Sequence, residues 1–91
     1  MINIKKGEKG FYVGDNEEEA LAKMELVYNG DELIIEHTFV SEQLRGQNVA
    51  RQLLYKVVCF AREKDKKIIP ICTFAKDEIN KNDDYKDVLH K

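Results

Sequence analysis

The apolar residues of this chain alternate along its first half and follow a helical period along its second half. Every second position from residue 20 to residue 28 is apolar on one face, namely Ala20, Ala22, Met24, Leu26 and Tyr28. Such alternation is typical of a half-buried strand. Apolar segments at residues 2–4, 10–14 and 33–40 predict three more strands. The Asn-Gly-Asp sequence at residues 29–31 predicts a hairpin between the third and fourth strands.

The helical period begins after the fourth predicted strand. Residues 47–64 have one apolar face, formed by Val49, Ala50, Leu53, Val57, Phe60 and Ala61 with Leu54 beside them. This face predicts a long amphipathic helix. Residues 68–72 are apolar on both faces and predict a fifth strand. The resulting strand–helix–strand order predicts a right-handed parallel crossover. Residues 74–80 and 85–89 predict two short helices.

Pro70 lies within the predicted fifth strand and has no N–H to donate to a neighbouring strand. We therefore expect this strand to lie at an edge of the sheet or to part from its neighbour. The pattern as a whole predicts an α/β (α+β) domain. Its mixed sheet has four antiparallel strands, followed by a helix, a parallel fifth strand and short C-terminal helices.

Composition indicates one small globular domain, residues 1–91. Apolar residues make up 43% of the chain and charged residues 35%, a balance that excludes an intrinsically disordered protein. No apolar run approaches the roughly 18 residues of a membrane span, and no secretory signal pattern begins the chain. With only two cysteines, we expect a cytoplasmic, reducing environment and no membrane partner.

Charge is divided unevenly between the two halves of the chain. Residues 1–46 contain five Lys/Arg and ten Asp/Glu, whereas residues 47–91 contain ten and seven. The basic half carries too small an excess for a nucleic-acid surface, and no basic stripe is interleaved with aromatics. Ordinary solvated helix faces account for most of the asymmetry, but the basic half begins where the loop described next begins.

The sequence of residues 45–50 (Arg-Gly-Gln-Asn-Val-Ala) follows a strand and opens a helix whose first two turns contain no acidic side chain. Free N–H groups and the positive end of the helix dipole make such a place an anion site. The loop is neither a P-loop nor a dinucleotide-binding glycine turn. A plain capped loop is the alternative.

This loop resembles the pyrophosphate-binding pattern Arg/Gln-x-x-Gly-x-Gly/Ala of the GCN5-related N-acetyltransferase (GNAT) superfamily. The predicted order of elements is similar to that family's fold over nearly the whole chain, and in the family the fourth and fifth strands splay apart. The minimal stand-alone subgroup, the YjdJ type, has further similarities here. They are His37-Thr38-Phe39-Val40, Pro70-Ile71-Cys72 and a tyrosine near the C-terminus, Tyr85.

The resemblance implies that acetyl-CoA is bound at the loop. The backbone N–H groups of Gly46, Gln47, Asn48, Val49 and Ala50 would hold the pyrophosphate, with Arg45 as a charge partner. Asn48 departs from the family pattern, which has glycine there. Asn tolerates positive φ better than other non-glycine residues, so we expect the turn to persist, although its side chain would crowd the phosphate.

Phe39 and Val40 are expected to pair with the amides of the pantetheine arm through their backbone groups, as a strand pairs with a sheet edge. Their side chains are interpreted as core residues. Cys72 ends the fifth strand, where the family places the acetyl group, and a helix start beyond it would lower its pKa. It is a candidate nucleophile or a small buried apolar residue. Cys59, on the polar side of the long helix, is interpreted as incidental.

His37 is the candidate general base, because a base with a pKa near neutrality can take the proton of an ammonium group. It alternates with Leu33, Ile35 and Phe39, and a structural role on that apolar face is the alternative. Glu36 on the other face is a second candidate base. Tyr85 is a candidate acid for the leaving thiolate or a cap on the core. His90 is assigned to a frayed tail.

The resemblance therefore implies an acetyl-CoA-dependent N-acetyltransferase that transfers an acetyl group to an amine, directly or through Cys72. The alternatives are a non-catalytic acyl-CoA-binding module and a protein-interaction domain, to which the small size and Asn48 lend support. The acceptor is expected to be a small-molecule or peptide amine. No metal site is expected, because the histidines and cysteines lack paired spacing. The expected assembly is a monomer or a weak homodimer.

Overall fold

The computed structural model describes residues 3–44 and 46–89. They form one five-stranded sheet, one long helix and one short helix. The strands are β1 (Lys5–Lys6), β2 (Gly10–Val13), β3 (Ala22–Asn29), β4 (Glu32–Val40) and β5 (Lys67–Pro70), and the helices are α1 (Val49–Glu63) and α2 (Thr73–Lys81). Short 3-10 segments lie at Glu42–Leu44 and Asp83–Val88.

The sheet has the strand order β1-β2-β3-β4-β5, antiparallel throughout except for the parallel pair β4–β5. This confirms the predicted fold class, including the hairpin. The hairpin turns at Gly30, whose φ of 60° is a conformation that glycine adopts without steric cost. Because β4 and β5 are parallel, α1 is the crossover that joins them.

The core lies between one face of the sheet and α1. Its fully buried side chains from the sheet include Ala22, Met24, Leu33, Ile35 and Ile68, and those from the helix include Leu53, Leu54, Val57, Val58 and Ala61. Phe60 extends this contact, with its ring edge-on to Phe11 at 5.8 Å between centroids. Val58 was not on the predicted apolar face. It is fully buried in the same core, to which α2 and the C-terminal segment contribute Ala75, Ile79 and Val88.

A bulge in β4 changes which side chains face this core. Leu26 of β3 pairs with Ile35, whereas Glu25 pairs with His37, so Glu36 is an extra residue without a partner of its own. An extra residue in a strand exchanges the two faces for everything beyond it.

The predicted alternation of His37 and Phe39 with the buried residues of β4 is therefore wrong. Thr38 and Val40, which pair with the buried Met24 and Ala22, lie on the core side instead. The side chain of Phe39 is 42% exposed, so its interpretation as a core residue is also corrected.

The parallel pair β4–β5 is short and ends at the bulge. Its last partners are Ile35 and Pro70, after which the N–H groups of Ile71 and Cys72 both donate to the carbonyl oxygen of Ile35, each at 3.0 Å. Beyond this point β4 continues to Val40 while β5 has ended. The prediction from Pro70 is confirmed, because the strand lies beside only one β-strand and parts from it at the proline.

The C-terminal segment is anchored by charge. Arg62 of α1 donates to both carboxylate oxygens of Asp87 at 2.9 and 3.0 Å and also to the carbonyl oxygen of Asp84. Leu89 forms a parallel bridge with Ile68 of β5. These contacts hold the segment across α1 and the sheet edge, where a 3-10 helix replaces the predicted helix at residues 85–89.

The N-terminal strand is displaced from its prediction at residues 2–4, of which residue 2 lies outside the described part of the chain. Lys5 and Lys6 pair with Tyr12 and Phe11, because the turn closes with the N–H of Gly7 donating to the carbonyl oxygen of Gly10 at 2.7 Å. Ile4 packs against the core just before this pairing. Within residues 3–44 and 46–89, no helix has the length and apolar character needed to cross a membrane.

Candidate functional site

A groove lies between the end of β4, the loop that precedes α1 and the first turn of α2. Its volume is ≈ 280 Å³, and it is lined by Val40, Leu44, Gly46, Asn48, Val49, Ala50, Arg51 and Phe74. Of the residues that the sequence assigns to the cofactor, this groove brings Val40, Gly46, Asn48, Val49 and Ala50 together. Arg45, assigned as a charge partner, lies outside the described residues.

The loop has the backbone conformation that an anion site needs. Gly46 has a φ of 84°, and Asn48, the N-cap of α1, is left-handed with φ 56° and ψ 33°. Asn48 thus adopts the conformation expected of the glycine in the family pattern. Its side chain makes no capping hydrogen bond, and the first turn of α1 contains no acidic residue. The first turn of α1 and its N-cap residue therefore contribute no carboxylate and no side-chain cap to the N-terminal N–H groups of the helix.

The outer part of β4 offers backbone groups to the gap left by β5. Residues 37–40 pair with residues 22–25 of β3 on one side. The N–H of Ser41 donates to Leu21 at 2.7 Å, so by strand alternation the backbone of Phe39 faces β3. The N–H and carbonyl groups of Thr38 and Val40 then face the gap. This alternation favours Val40 and Thr38 over Phe39 for backbone contact with a bound arm.

Cys72 lies at the inner end of the gap, as the N-cap of α2. Its thiol is half-buried and lies 3.4 Å from the hydroxyl oxygen of Thr38. Burial raises the pKa of Cys72. Hydrogen bonding by the Thr38 hydroxyl and by backbone N–H groups, including those of Phe74 and Ala75, lowers the pKa by a larger total amount. The net effect is a lowered pKa. Phe74 and Ala75 belong to the first turn of α2, so the N-terminus of this helix contributes to the lowering.

The candidate bases lie apart from this thiol. His37 and Glu36 are both exposed, and the side chain of His37 is on the sheet face opposite to Thr38. Tyr85 is half-buried in a second groove, between α1 and α2, rather than in the groove lined by Val40 and Phe74. The structure thus brings Thr38 to Cys72, and it brings none of the three sequence-predicted acid–base residues into hydrogen-bond contact with that thiol.

Sequence analysis gave no role to Thr38, Arg51, Phe74 or Glu78. Thr38 is separated from Cys72 by 34 positions, so no local pattern could reveal their contact. In the sequence, Arg51 is one of several polar residues of an amphipathic helix, and no local feature distinguishes it from the others. Only the packing of α2 against α1 places it beside the buried Glu78, at 3.4 Å.

The described residues include no group of three His, Cys, Asp or Glu side chains that could hold a metal ion. What they do present is a parting of two parallel strands that leads from a half-buried thiol to a helix N-terminus. An elongated ligand with an anionic part fits such a site. The fold and the site together define a mixed α/β domain with a candidate site for such a ligand.

Comparison with known proteins identifies the family. The family model described as GCN5-related N-acetyl-transferase matches residues 10–88. The chain therefore belongs to the GCN5-related N-acetyltransferase superfamily, which confirms the resemblance drawn from the loop and from the order of elements. Membership supports acyl transfer in general as its activity.

A solved structure supports the same assignment. The NMR solution structure of a GCN5-like candidate N-acetyltransferase from Staphylococcus aureus is 46% identical in sequence to this chain. The similarity covers 98% of this chain and 88% of that one, with a TM-score of 0.81. None of the curated proteins matches the chain significantly.

Proposed function

We propose that this protein is an acetyl-CoA-dependent N-acetyltransferase whose donor lies along the gap between β4 and β5. The observation that carries the proposal is the open edge of β4 beyond Ile35, where the strand pairs with β3 alone. Along this edge Thr38 lies 3.4 Å from the thiol of Cys72, and Val40 lines the groove that also includes the loop before α1. Family membership supports the class of reaction.

The loop fits the pyrophosphate of coenzyme A. Asn48 and Gly46 hold the left-handed conformations that turn backbone N–H groups toward a ligand. A Cβ added to Gly46 would meet no protein atom within 4 Å, so the space in front of this residue is open. The backbone groups of Thr38 and Val40 suit the amides of the pantetheine arm. When bound, acetyl-CoA supplies the acetyl group as an activated thioester.

The two faces of the sheet suggest how the reactants meet. The donor groove is on the α1 side, whereas His37 and Glu36 are exposed beyond the bulge, with His37 on the opposite face. An amine that approaches from that face would lose a proton to His37, or to Glu36, as its nitrogen bonds to the acetyl carbon. The carbon–sulfur bond then breaks, and the N–H groups at the gap stabilise the negative charge that develops.

In the alternative route, the acetyl group is transferred first to the protein thiol and then to the amine. The thiolate of Cys72 would first take the acetyl group, and the amine would then take it from the cysteine. The lowered pKa of Cys72, the hydroxyl of Thr38 and the adjacent helix N-terminus support this route. In either route the acceptor is a small-molecule or peptide amine.

Binding can be tested with a matched pair of glycine substitutions. Gly46→Glu places a carboxylate in the loop, and Gly30→Glu places the same charge and side chain in the β3–β4 turn. Both glycines have positive φ, 84° and 60°, and open space around the added Cβ, so the backbone strain is comparable. Isothermal titration with acetyl-CoA should show affinity lost in Gly46→Glu and retained in Gly30→Glu. Equal affinities would remove the loop from the site.

Turnover is a separate measurement. Wild-type protein with acetyl-CoA and a panel of amines should release free coenzyme A, detected by a thiol reagent, in an amine-dependent manner. Binding without amine-dependent thiol release across a broad panel would favour the non-catalytic acyl-CoA-binding alternative. No thermal stabilisation and no heat of binding with acetyl-CoA would favour the protein-interaction alternative.

A further inference from the structure

A second groove lies between α1 and α2 and adjoins the groove proposed for the donor. It has a volume of ≈ 310 Å³ and is lined by Arg51, Leu54, Glu78, Lys81, Asn82 and Tyr85. Arg51 lines both grooves, because it is in the first turn of α1, directly after the loop. The two grooves therefore meet at this residue.

Glu78 forms the floor of the second groove. Among the described residues, Glu78 is the charged residue that is buried, with 7% of its surface exposed. Its carboxylate oxygen lies 3.4 Å from Nε of Arg51 and 4.0 Å from Nζ of Lys81. One negative charge thus faces two positive charges, which leaves an excess of one positive charge at the groove.

The two cations remain accessible although they share this buried partner. The side chains of Arg51 and Lys81 are 61% and 69% exposed, against 10% for Glu78. Burying a carboxylate costs desolvation energy that an exposed cation only partly returns, so the pair is a weak source of stability. It does keep the two cations near one carboxylate. The end of α2 is fixed as well, since the side-chain amide of Asn82 donates to the carbonyl oxygen of Glu78 at 2.7 Å.

We propose that Arg51 and Lys81 bind the 3′-phosphate monoester of coenzyme A and that Glu78 positions them for this contact. The inference rests on the proposed function. A donor whose pyrophosphate lies at the loop and whose thioester lies near Cys72 must extend its nucleotide away from the gap. Arg51 is at the junction on that side. A phosphate monoester carries up to two negative charges and accepts charge-assisted hydrogen bonds from such cations.

The consequence is selectivity for coenzyme A over its 3′-dephospho form. Two partly exposed charged contacts correspond to about 10- to 100-fold in affinity. The test compares acetyl-CoA with acetyl-3′-dephospho-CoA by isothermal titration of the full chain. Wild-type protein should bind acetyl-CoA at least about tenfold more tightly. The Arg51→Gln, Lys81→Gln double variant should lose most of this ratio while its affinity for the dephospho ligand changes little.

Lys64→Gln is the control for charge, matched to the single variant Arg51→Gln. It removes one positive charge from an exposed residue at the far end of α1, about 20 Å along the helix from Arg51. Its ratio of affinities should equal that of wild-type protein. A general electrostatic effect would lower the ratio in this variant too and would overturn the assigned contact.

Glu78→Gln tests the positioning role. If Glu78 only competes with the phosphate for the two cations, its neutralisation should raise the affinity ratio. If it positions them, the ratio should fall although the groove becomes more positive. A rise would overturn the positioning part of the proposal.

The outcomes for the wild-type protein separate the two proposals. Equal binding of both ligands would overturn the 3′-phosphate site and leave the acetyl-CoA site intact. Absence of binding by either ligand would contradict the proposed function itself. If Arg51→Gln weakened both ligands by the same factor, Arg51 would contact the pyrophosphate instead, and the inference would fall.

Discussion

The two halves of β4 differ in strand pairing and in burial. The inner half, up to Ile35, is flanked by β3 and β5, and the side chains of Leu33 and Ile35 are fully buried. The outer half, residues 37–40, pairs with β3 alone, and its side chains are half-buried or exposed. A single extra residue, Glu36, separates the halves.

Burial indicates that the inner half carries stability, and the proposed function assigns the chemistry to the outer half. Both edges of the inner half are paired, with β3 on one side and with β5 on the other. The outer half has one unpaired edge. The bulge also turns the side chain of Thr38 to the core side of the sheet, where it contacts Cys72. Bulges re-aim side chains next to functional sites in this way. The four predictions that follow test the division, from the largest expected effect to the smallest.

Truncation of the inner half should destabilise the protein far more than truncation of the outer half. Ile35→Ala removes a fully buried side chain and should lower the free energy of unfolding by about 2–5 kcal/mol. Phe39→Ala removes a larger side chain that is 42% exposed and should cost under about 1.5 kcal/mol. Urea denaturation monitored by circular dichroism measures both. Similar losses of unfolding free energy in the two variants would contradict the assignment of stability to the inner half of β4.

The thiol of Cys72, which contacts Thr38 in the outer half of β4, should react faster than the thiol of Cys59 in α1. Cys72 has a lowered pKa and lies beside a helix N-terminus, whereas Cys59 is within α1. A limiting dose of iodoacetamide at pH 7 should therefore alkylate Cys72 several-fold faster, as peptide mass mapping would show. Saturating acetyl-CoA should slow the reaction at Cys72 and leave Cys59 as the internal control. Preferential labelling of Cys59, or no protection of Cys72, would return Cys72 to a structural role.

Removal of the Thr38 hydroxyl should raise the pKa of Cys72. The hydroxyl oxygen accepts a weak hydrogen bond from the neutral thiol, whereas the hydroxyl can donate a stronger, charge-assisted one to the thiolate, so its loss disfavours the charged form. In Thr38→Val, the pH profile of alkylation should move to higher pH, and the rate at pH 7 should fall about fivefold. Thr38→Ser retains the hydroxyl and should retain the wild-type profile. An unchanged profile in Thr38→Val would show that the contact does not tune the thiol.

Asn48→Gly should have the smallest effect. The residue is left-handed with φ 56°, a conformation that glycine adopts without a side chain near the bound phosphate. Affinity for acetyl-CoA should be unchanged or rise by up to about threefold, with no loss of stability. Isothermal titration and urea denaturation check both parts. A clear loss of affinity would mean that the Asn48 amide itself contacts the ligand.

The sequence predicted the elements well where their signals are local. The alternation in β3, the turn at Gly30 and the apolar face of α1 each lie within one short segment, and the structure agrees with them to within two residues at most boundaries. The loop was predictable for the same reason, since Gly46 and Asn48 are residue types that tolerate positive φ. Pro70 indicated the parting of β4 and β5 through its missing N–H.

Sequence alone therefore determined the order of the strands and helices, the left-handed turn at Asn48 and the family. These depend on periodicity, turn chemistry and capping, which act between residues a few positions apart. Only the tertiary structure decided the bulge at Glu36, the reversal of faces beyond it, and the contacts of Cys72 with Thr38 and of Glu78 with Arg51. The physical reason is that pairing register and helix packing are set by contacts between distant segments, and no local pattern records them.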